Sequence, residues 1–136
     1  MVIYKMSMKR ACDYSPLVLA YIGDSVYEQY VRCRIVTEHP DMPAHKLHKA
    51  AIHYVSAEAQ SRSIGNIEEM LLEDELAVYK RGRNAKSPTS AKNASITDYR
   101  RATGFEALVG YLFFNNDKER LDAVMKAAFE HSNELQ

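Results

Sequence analysis

Two carboxylates stand alone in helical stretches that are otherwise apolar, and they are the side chains of this sequence best suited to chemistry. Asp24 lies in residues 15–28, whose apolar side chains recur on every side of a helical wheel. Glu106 is the only charge in residues 103–114, a second stretch of the same kind. Burying an unpaired carboxylate is costly, so each acid must be neutralised, matched by a cation or bound to a metal. The two helices therefore predict a shared site for a divalent cation such as Mg²⁺, which prefers oxygen ligands.

A less demanding interpretation pairs each acid with a buried arginine or lysine, or places it at a polar rim. That interpretation is favoured for a single acid on a single apolar helix, but two such helices in one small chain leave both interpretations open. Glu28 lies one helical turn after Asp24 and shares its face. An outward-pointing glutamate is common on helices, so the role of Glu28 stays open as well.

The bulk composition predicts one globular domain. The chain has 136 residues, 46% of them hydrophobic and 26% charged, which is enough to bury a core. The formal net charge is zero, so any nucleic-acid binding must depend on where the charges lie. Cys12 and Cys33 have no metal-ligand spacing and predict reduced thiols in a cytoplasmic protein. We expect no membrane span, because Asp24 and Glu106 interrupt the two best candidates, and residues 1–10 lack the apolar core of a secretory signal.

Helices must position these acids, since no window of the sequence shows the alternation of a strand. Ser15 and Pro16 are typical of a helix start, and residues 1–14 before them are expected to form an N-terminal arm. Residues 15–136 should form a single all-α domain. The predicted helices cover residues 15–36, 43–64 and 67–80, then a helix from Thr97 or Asp98 through Glu106, and a last helix from about Asp117.

A change of charge separates the acidic segment from the helix that carries Glu106. Residues 76–97 contain no acid, and residues 83–96 are rich in small and polar side chains, which predicts a long loop. Lysine and arginine interleaved with asparagine, serine and threonine suit phosphate contacts, which fix position without reading sequence. A merely solvated loop is the alternative.

The histidines of the second predicted helix form a weaker pattern. His45, His48 and His53 have no cysteine partners, and their spacing is not that of a zinc-binding helix. An exposed, partly basic face that could touch phosphate is favoured over a metal site.

Together these motifs resemble the ribonuclease III catalytic domain. Residues 19–28, LAYIGDSVYE, are similar to the signature helix of that family, in which Gly-Asp-Ser carries the catalytic aspartate. Residues 105–110, FEALVG, are similar to its second motif, whose glutamate completes the metal site. Residues 80–87, KRGRNAKS, and residues 99–108, with an expected lack of any double-stranded-RNA-binding domain, resemble the Mini-ribonuclease III branch most closely.

The resemblance implies a helical-bundle endoribonuclease that hydrolyses double-stranded RNA as a homodimer. Asp24 and Glu106 would hold Mg²⁺, and the loop at 83–96 would grip an A-form duplex through its phosphates and 2′-hydroxyls. In the bacterial branch the substrate is the precursor of 23S ribosomal RNA, and a large-subunit ribosomal protein assists. The residues assigned to RNA contact are Arg81, Arg83, Asn84, Lys86, Lys92 and Arg100.

The sequence departs from the longer enzymes of this family at two positions. Their signature helix has a glutamate four residues before the aspartate, where this chain has Ala20. Their second motif has an aspartate three residues before the glutamate, where this chain has Thr103. These departures predict a thinner acidic site. They also favour the alternative function, a non-catalytic RNA-binding or ribosome-assembly module that binds RNA without shortening it.

Overall fold

A computed structural model of the chain describes residues 9–87 and 95–132, and within these ranges the fold is a bundle of six α-helices. The helices are α1 (Pro16–Glu38), α2 (Ala44–Val55), α3 (Ala57–Ile67), α4 (Glu73–Asn84), α5 (Ile96–Phe114) and α6 (Lys118–Glu130). Short 3₁₀ turns cover Ala11–Asp13 and Glu68–Met70. No strand occurs in the described residues, and the predicted all-α fold is confirmed. None of the helices described is long and apolar enough to cross a membrane.

Helices α1 and α5 make the most extensive contact in the bundle, and serine residues start both of them. Ser15 caps α1 as predicted, because its Oγ accepts a hydrogen bond from the N–H of Val18 at 3.3 Å. Ser95 caps α5 in the same way, accepting from the N–H of Asp98 at 3.0 Å. The prediction of Thr97 or Asp98 as the cap is therefore wrong, and α5 begins slightly earlier than expected.

Two glycines allow the backbones of α1 and α5 to touch where they cross. A Cβ on Gly23 would overlap the carbonyl oxygen of Glu106, and a Cβ on Gly110 would overlap the carbonyl oxygen of Leu19. Residues with a side chain cannot make so close an approach without moving one helix. The crossing therefore places Asp24, the residue after Gly23, beside Glu106.

Helix α5 lies in the middle of the bundle, as its apolar pattern predicts. Phe105, Leu108 and Val109 are completely buried, and the ring of Phe105 meets the ring of Tyr27 edge-on with centroids 4.8 Å apart. This core holds Glu106 on a rigid element, since close packing restricts both the helix and its side-chain rotamers.

Helix α1 differs from the prediction, because only one of its faces is buried in the chain. The outer face exposes 83% of Tyr21 and 48% each of Val18 and Val36, and Asp24 is exposed as well. The expectation that the helix around Asp24 is buried on every side is wrong. Apolar composition does not distinguish a core face from an exposed patch available for association.

The predicted helix over residues 43–64 is two helices in the structure. Ser56 has an extended conformation, with φ −64° and ψ 155°, and its Oγ accepts a hydrogen bond from the N–H of Ala59 at 3.2 Å. Serine can bond to nearby backbone in this way, so it ends one helix and caps the next. Helix α3 then continues to Ile67.

The predicted basic loop is shorter than residues 83–96. Arg83 and Asn84 belong to the last turn of α4, and Ile96 is the first residue of α5. Residues 85–87 and Ser95 are non-helical at the two ends of the loop. Residues 88–94 lie outside the described residues, so the structural expectations for that part, including Lys92, are not addressed here.

A buried ion pair joins α4 to the start of α6. Glu75 is only 1% exposed, and its carboxylate accepts from Arg120 Nη2 at 2.6 Å and from Arg120 Nε at 2.8 Å. Glu75 also accepts from the N–H of Leu72 at 3.0 Å. This acid therefore follows the interpretation in which an interior carboxylate is matched by an arginine.

Candidate active site

The crossing of α1 and α5 brings the two acids singled out from the sequence into a side-chain hydrogen bond with each other. Glu106 is half-buried on α5, and Asp24 is exposed on α1. Among the described residues, no lysine, arginine or histidine forms an ion pair with either carboxylate. Their surroundings are thus the reverse of those of Glu75, which has an arginine beside it.

Burial and the nearby Asp24 carboxylate raise the pKa of Glu106 to about 9, from an ordinary value of 4.5. The hydrogen bond with Asp24 raises the pKa of Glu106 further, so protonated Glu106 is the donor and Asp24 the acceptor. A hydrogen bond from the amide of Gln60 acts in the opposite direction. At neutral pH the two carboxylates therefore share one proton, and a divalent cation would replace it. Strongly shifted acids of this kind cluster at functional sites.

The chemistry of the pair fits Mg²⁺ with an open coordination shell. Mg²⁺ is commonly held by one or two carboxylates, while water and substrate phosphate complete its shell. No group of three or more histidine, cysteine, aspartate or glutamate side chains suited to a metal occurs among the residues described. Glu28 instead forms an ion pair with Arg32 at 3.5 Å. On α2, His45, His48 and His53 are all exposed.

The two positions that depart from the longer enzymes serve packing and helix structure. Ala20 is buried in a small apolar cluster with Val78 and Ala107. Thr103 donates its hydroxyl to the carbonyl oxygen of Tyr99 at 2.9 Å. Neither side chain offers a carboxylate, so the pair of acids is not extended at these positions.

Gln60 is a residue of this site that the sequence analysis missed. Its side chain is 1% exposed, its Nε2 donates to the carbonyl oxygen of Val55 at 3.1 Å, and it forms a hydrogen bond with Glu106. Its Oε1 is buried and has no hydrogen-bond partner among the described residues. The available signal was its spacing, because Gln60 occupies the buried stripe of α3 with Ile64 and Ile67, where an apolar side chain is expected.

The residues assigned to RNA contact lie where α4 ends and α5 begins. The guanidinium of Arg83 is 5.6 Å from the centre of the Tyr79 ring, and its Nε donates to Asn84 Oδ1 at 3.2 Å. Arg83 is half-buried, and the others that the structure describes are exposed. We call these described residues the basic cluster: Arg81, Arg83, Asn84, Lys86 and Arg100.

A cavity of about 150 Å³ opens within the basic cluster, between the end of α4 and the first turns of α5. Arg100 lines it, and so do Ser87 and Tyr99, whose hydroxyl oxygens are 3.4 Å apart. Thr103 lines it as well, about one helical turn before Glu106. Hydroxyl and guanidinium groups are suited to the phosphates and sugars of a nucleic-acid backbone.

Comparisons with known proteins agree with this site. Residues 17–117 match the profile described as the Ribonuclease III domain. The chain is 56% identical to the Mini-ribonuclease 3 of Clostridium tetani over 112 residues, which is 82% of this chain and 74% of that protein. It is 50% identical to the Mini-ribonuclease 3 of Brevibacillus brevis over 115 residues, which is 85% of each chain. A crystal structure of a protein from Fusobacterium nucleatum matches with a TM-score of 0.80 at 26% identity, covering 90% of this chain and 98% of that chain.

These matches confirm the family and the fold that the motifs predict, and the matched domain includes both Asp24 and Glu106. They support an RNA-cleaving enzyme, an endoribonuclease, over the alternative of a non-catalytic binding module. The chain belongs to the ribonuclease III family, in its Mini-ribonuclease 3 branch.

Proposed function

We propose that this endoribonuclease hydrolyses double-stranded RNA in a Mg²⁺-dependent reaction at Asp24 and Glu106. The observation that carries the proposal is the contact between the two carboxylates, with no cationic side chain paired to them among the described residues. Glu75 provides the contrast, since an arginine neutralises it. The catalytic unit in this proposal is residues 15–136, with residues 1–14 as an arm.

The two acids have different duties in this site. Asp24 is exposed on α1 and therefore open to an approaching RNA strand, whereas Glu106 is half-buried and held in place by α5. Mg²⁺ held by both would supply Lewis-acid catalysis at the phosphodiester. The requirement for two unprotonated carboxylates makes cation binding compete with the shared proton, so activity should rise with pH below about 9.

We further propose that the basic cluster and the loop after it, including Lys92, bind the phosphates of an A-form duplex. The position of the cluster supports this, because its cavity lies about one turn of α5 from Glu106. Duplex RNA is recognised mainly by shape, through phosphates and 2′-hydroxyls, so it requires cationic and hydroxyl groups of this kind.

The enzyme is a homodimer in this proposal, and the outer face of α1 is the interface. Val18, Tyr21 and Val36 lie on the same side of the helix and are 48%, 83% and 48% exposed. An apolar patch of this kind is typical of an association surface. A two-fold axis would present the same patch from both subunits, and the dimer would carry two acid pairs.

The substrate in this proposal is the precursor of 23S ribosomal RNA in the cytoplasm, with a large-subunit ribosomal protein as a helper. The support is the resemblance to the bacterial Mini-ribonuclease III branch, together with the curated relatives of that name. Cys12 and Cys33 are both exposed free thiols, which suits a reducing compartment.

The test incubates the purified chain with a labelled RNA duplex in Mg²⁺ or in EDTA, alongside Asp24→Asn and Asp122→Asn. Asp122 is an exposed aspartate on α6 and gives the same change of charge outside the site. Discrete Mg²⁺-dependent products that are lost only in Asp24→Asn would support the proposal. Cleavage that persists in Asp24→Asn would contradict the site, and a duplex that stays intact with the unaltered chain would contradict the substrate.

A further inference from the structure

The break between α2 and α3 leaves a backbone carbonyl without a helical partner, and Gln60 binds it. Val55 is the last residue of α2, where carbonyl groups have no intrahelical donor. The Nε2 of Gln60 donates to this carbonyl oxygen at 3.1 Å, while the backbone N–H of Gln60 donates to the Ser56 carbonyl at 2.9 Å. Both the backbone and the amide end of Gln60 are therefore held at the break.

The same amide reaches Glu106 on the neighbouring helix. Gln60 and Glu106 form a side-chain hydrogen bond, and Gln60 is 1% exposed. Its Oε1 is buried without a partner among the described residues. An apolar side chain of the same size would be more favourable there on stability grounds alone. Polar groups that are retained against stability mark functional sites.

We propose that Gln60 is a positioning residue for the acid pair: its amide, anchored on the Val55 carbonyl, holds the carboxylate of Glu106 turned toward Asp24. The inference rests on the proposed function, because it assigns Gln60 to the cation site of that proposal. Three helices then define the site, with α1 supplying Asp24, α5 supplying Glu106 and α3 fixing the orientation between them. Groups that hydrogen-bond to metal ligands orient those ligands, and their loss weakens metal binding.

A purely structural role for Gln60 predicts something different. If the amide served only to cap α2, its loss would lower stability and leave cation binding by the folded protein unchanged. Ser63 provides a matched control for that role. It is also on α3 and completely buried, but its Oγ donates to the Ala128 carbonyl on α6 at 2.9 Å rather than to an acid of the site.

The experiment measures Mn²⁺ binding to the full chain without RNA, by electron paramagnetic resonance, for the unaltered protein and three variants. These are Gln60→Met, which keeps the length of the side chain and removes the amide, Ser63→Ala, and Glu106→Gln. We expect Gln60→Met to weaken Mn²⁺ binding about tenfold and to raise the Mg²⁺ concentration for half-maximal cleavage by a similar factor. Ser63→Ala should lower the melting temperature without changing either quantity.

The outcomes separate this inference from the function on which it rests. Unchanged Mn²⁺ affinity in Gln60→Met, with affinity lost in Glu106→Gln, would overturn the role of Gln60 and leave the proposed site intact. Absence of Mn²⁺ binding and of metal-dependent cleavage in the unaltered chain would overturn both. Where Gln60→Met does not fold, Gln60→Asn replaces it with the same expectation, since the shorter amide cannot span Val55 and Glu106 together.

Discussion

Exposure separates the two acids of the site and gives each its own test. Asp24 is exposed and contributes nothing to the core, so Asp24→Asn should keep the melting temperature of the unaltered protein. Cleavage of duplex RNA should nevertheless fall by more than about a hundredfold, because a ligand of the cation is lost. Initial rates and thermal unfolding of the same preparation check both expectations. A fall in activity that simply follows a loss of folded protein would contradict the assignment.

Glu106 predicts a stability that depends on pH when EDTA is present. Its pKa of about 9 in the folded chain exceeds its ordinary value of 4.5, so the folded state binds more protons than the unfolded state between these pH values. The free energy of unfolding should therefore decrease as the pH rises from about 5 to about 9. Glu106→Gln removes this contribution, so its stability relative to the unaltered chain should increase with pH. Urea unfolding at pH 5, 7 and 9 measures the difference, and a constant difference would contradict the prediction.

The sequence was informative about these residues to the extent that charge contrasts with its neighbours. Asp24 and Glu106 are visible because each interrupts an apolar helix. Gln60 was not visible, because its contact with Glu106 depends on the helix break at Ser56 and on the packing of α3 against α5. Glu75 shows the same limit, since its partner Arg120 is 45 positions away in the chain.

The crossing of α1 and α5 depends on a glycine, and this gives a prediction for the element. Gly23→Ala places a Cβ on the carbonyl oxygen of Glu106, so the two helices must separate. We expect a loss of about 1–3 kcal/mol or more in the free energy of unfolding, as for other overpacked contacts. Cleavage should fall further than the loss of folded protein explains, because the acids move apart. Gly65→Ala on the exposed side of α3 is the control, and it should be neutral or stabilising.

The basic cluster can be tested through its dependence on salt. Arg83 and Lys86 lie near the end of α4, and replacing both with alanine should weaken duplex binding while leaving residual cleavage. If each contacts one phosphate, the slope of log affinity against log salt should decrease by about 2. A double alanine variant of the exposed Lys118 and Lys126 on α6 removes the same charge and should behave like the unaltered chain. Equal slopes in both variants would mean that the cluster is only solvated.

Helix boundaries were predicted well where side chains cap the backbone and poorly where a single serine decides. Ser15 with Pro16 gave the start of α1 correctly. Ser56 has the same capping chemistry, but it lies within a continuous helical pattern, so residues 43–64 were predicted as one helix. Local propensity favours continuation there, and the tertiary contacts of α3 determine the break.

At the scale of the whole molecule, the exposed face of α1 predicts the oligomeric state. Tyr21→Glu places a charge at the centre of the proposed interface and should convert a dimer into single chains. Sedimentation equilibrium distinguishes the two masses, and cleavage should decrease with the dimer. Leu72→Glu, at a side chain that is 50% exposed near the start of α4, is the matched control. A dimer that persists in Tyr21→Glu would place the interface elsewhere.

The all-α class and the family could be predicted from the sequence because the helix patterns and the two motifs are local signals. The exposure of α1 could not, because a face that is apolar for association has the same composition as one that is apolar for the core. That ambiguity explains why Asp24 was expected to be buried and is exposed in the single chain.

The small number of carboxylates in this site has a consequence for how RNA and metal are held together. With two acids available, and with Ala20 and Thr103 engaged elsewhere, a cation must complete its shell from the phosphates of the substrate. RNA and cation then become cooperative ligands, and thermodynamic reciprocity requires each to tighten the other by the same factor. A duplex that raises the affinity for Mg²⁺ tenfold is itself bound tenfold more tightly when Mg²⁺ is present. The resting enzyme would thus carry little metal, and its active site would become complete on the RNA that it cuts.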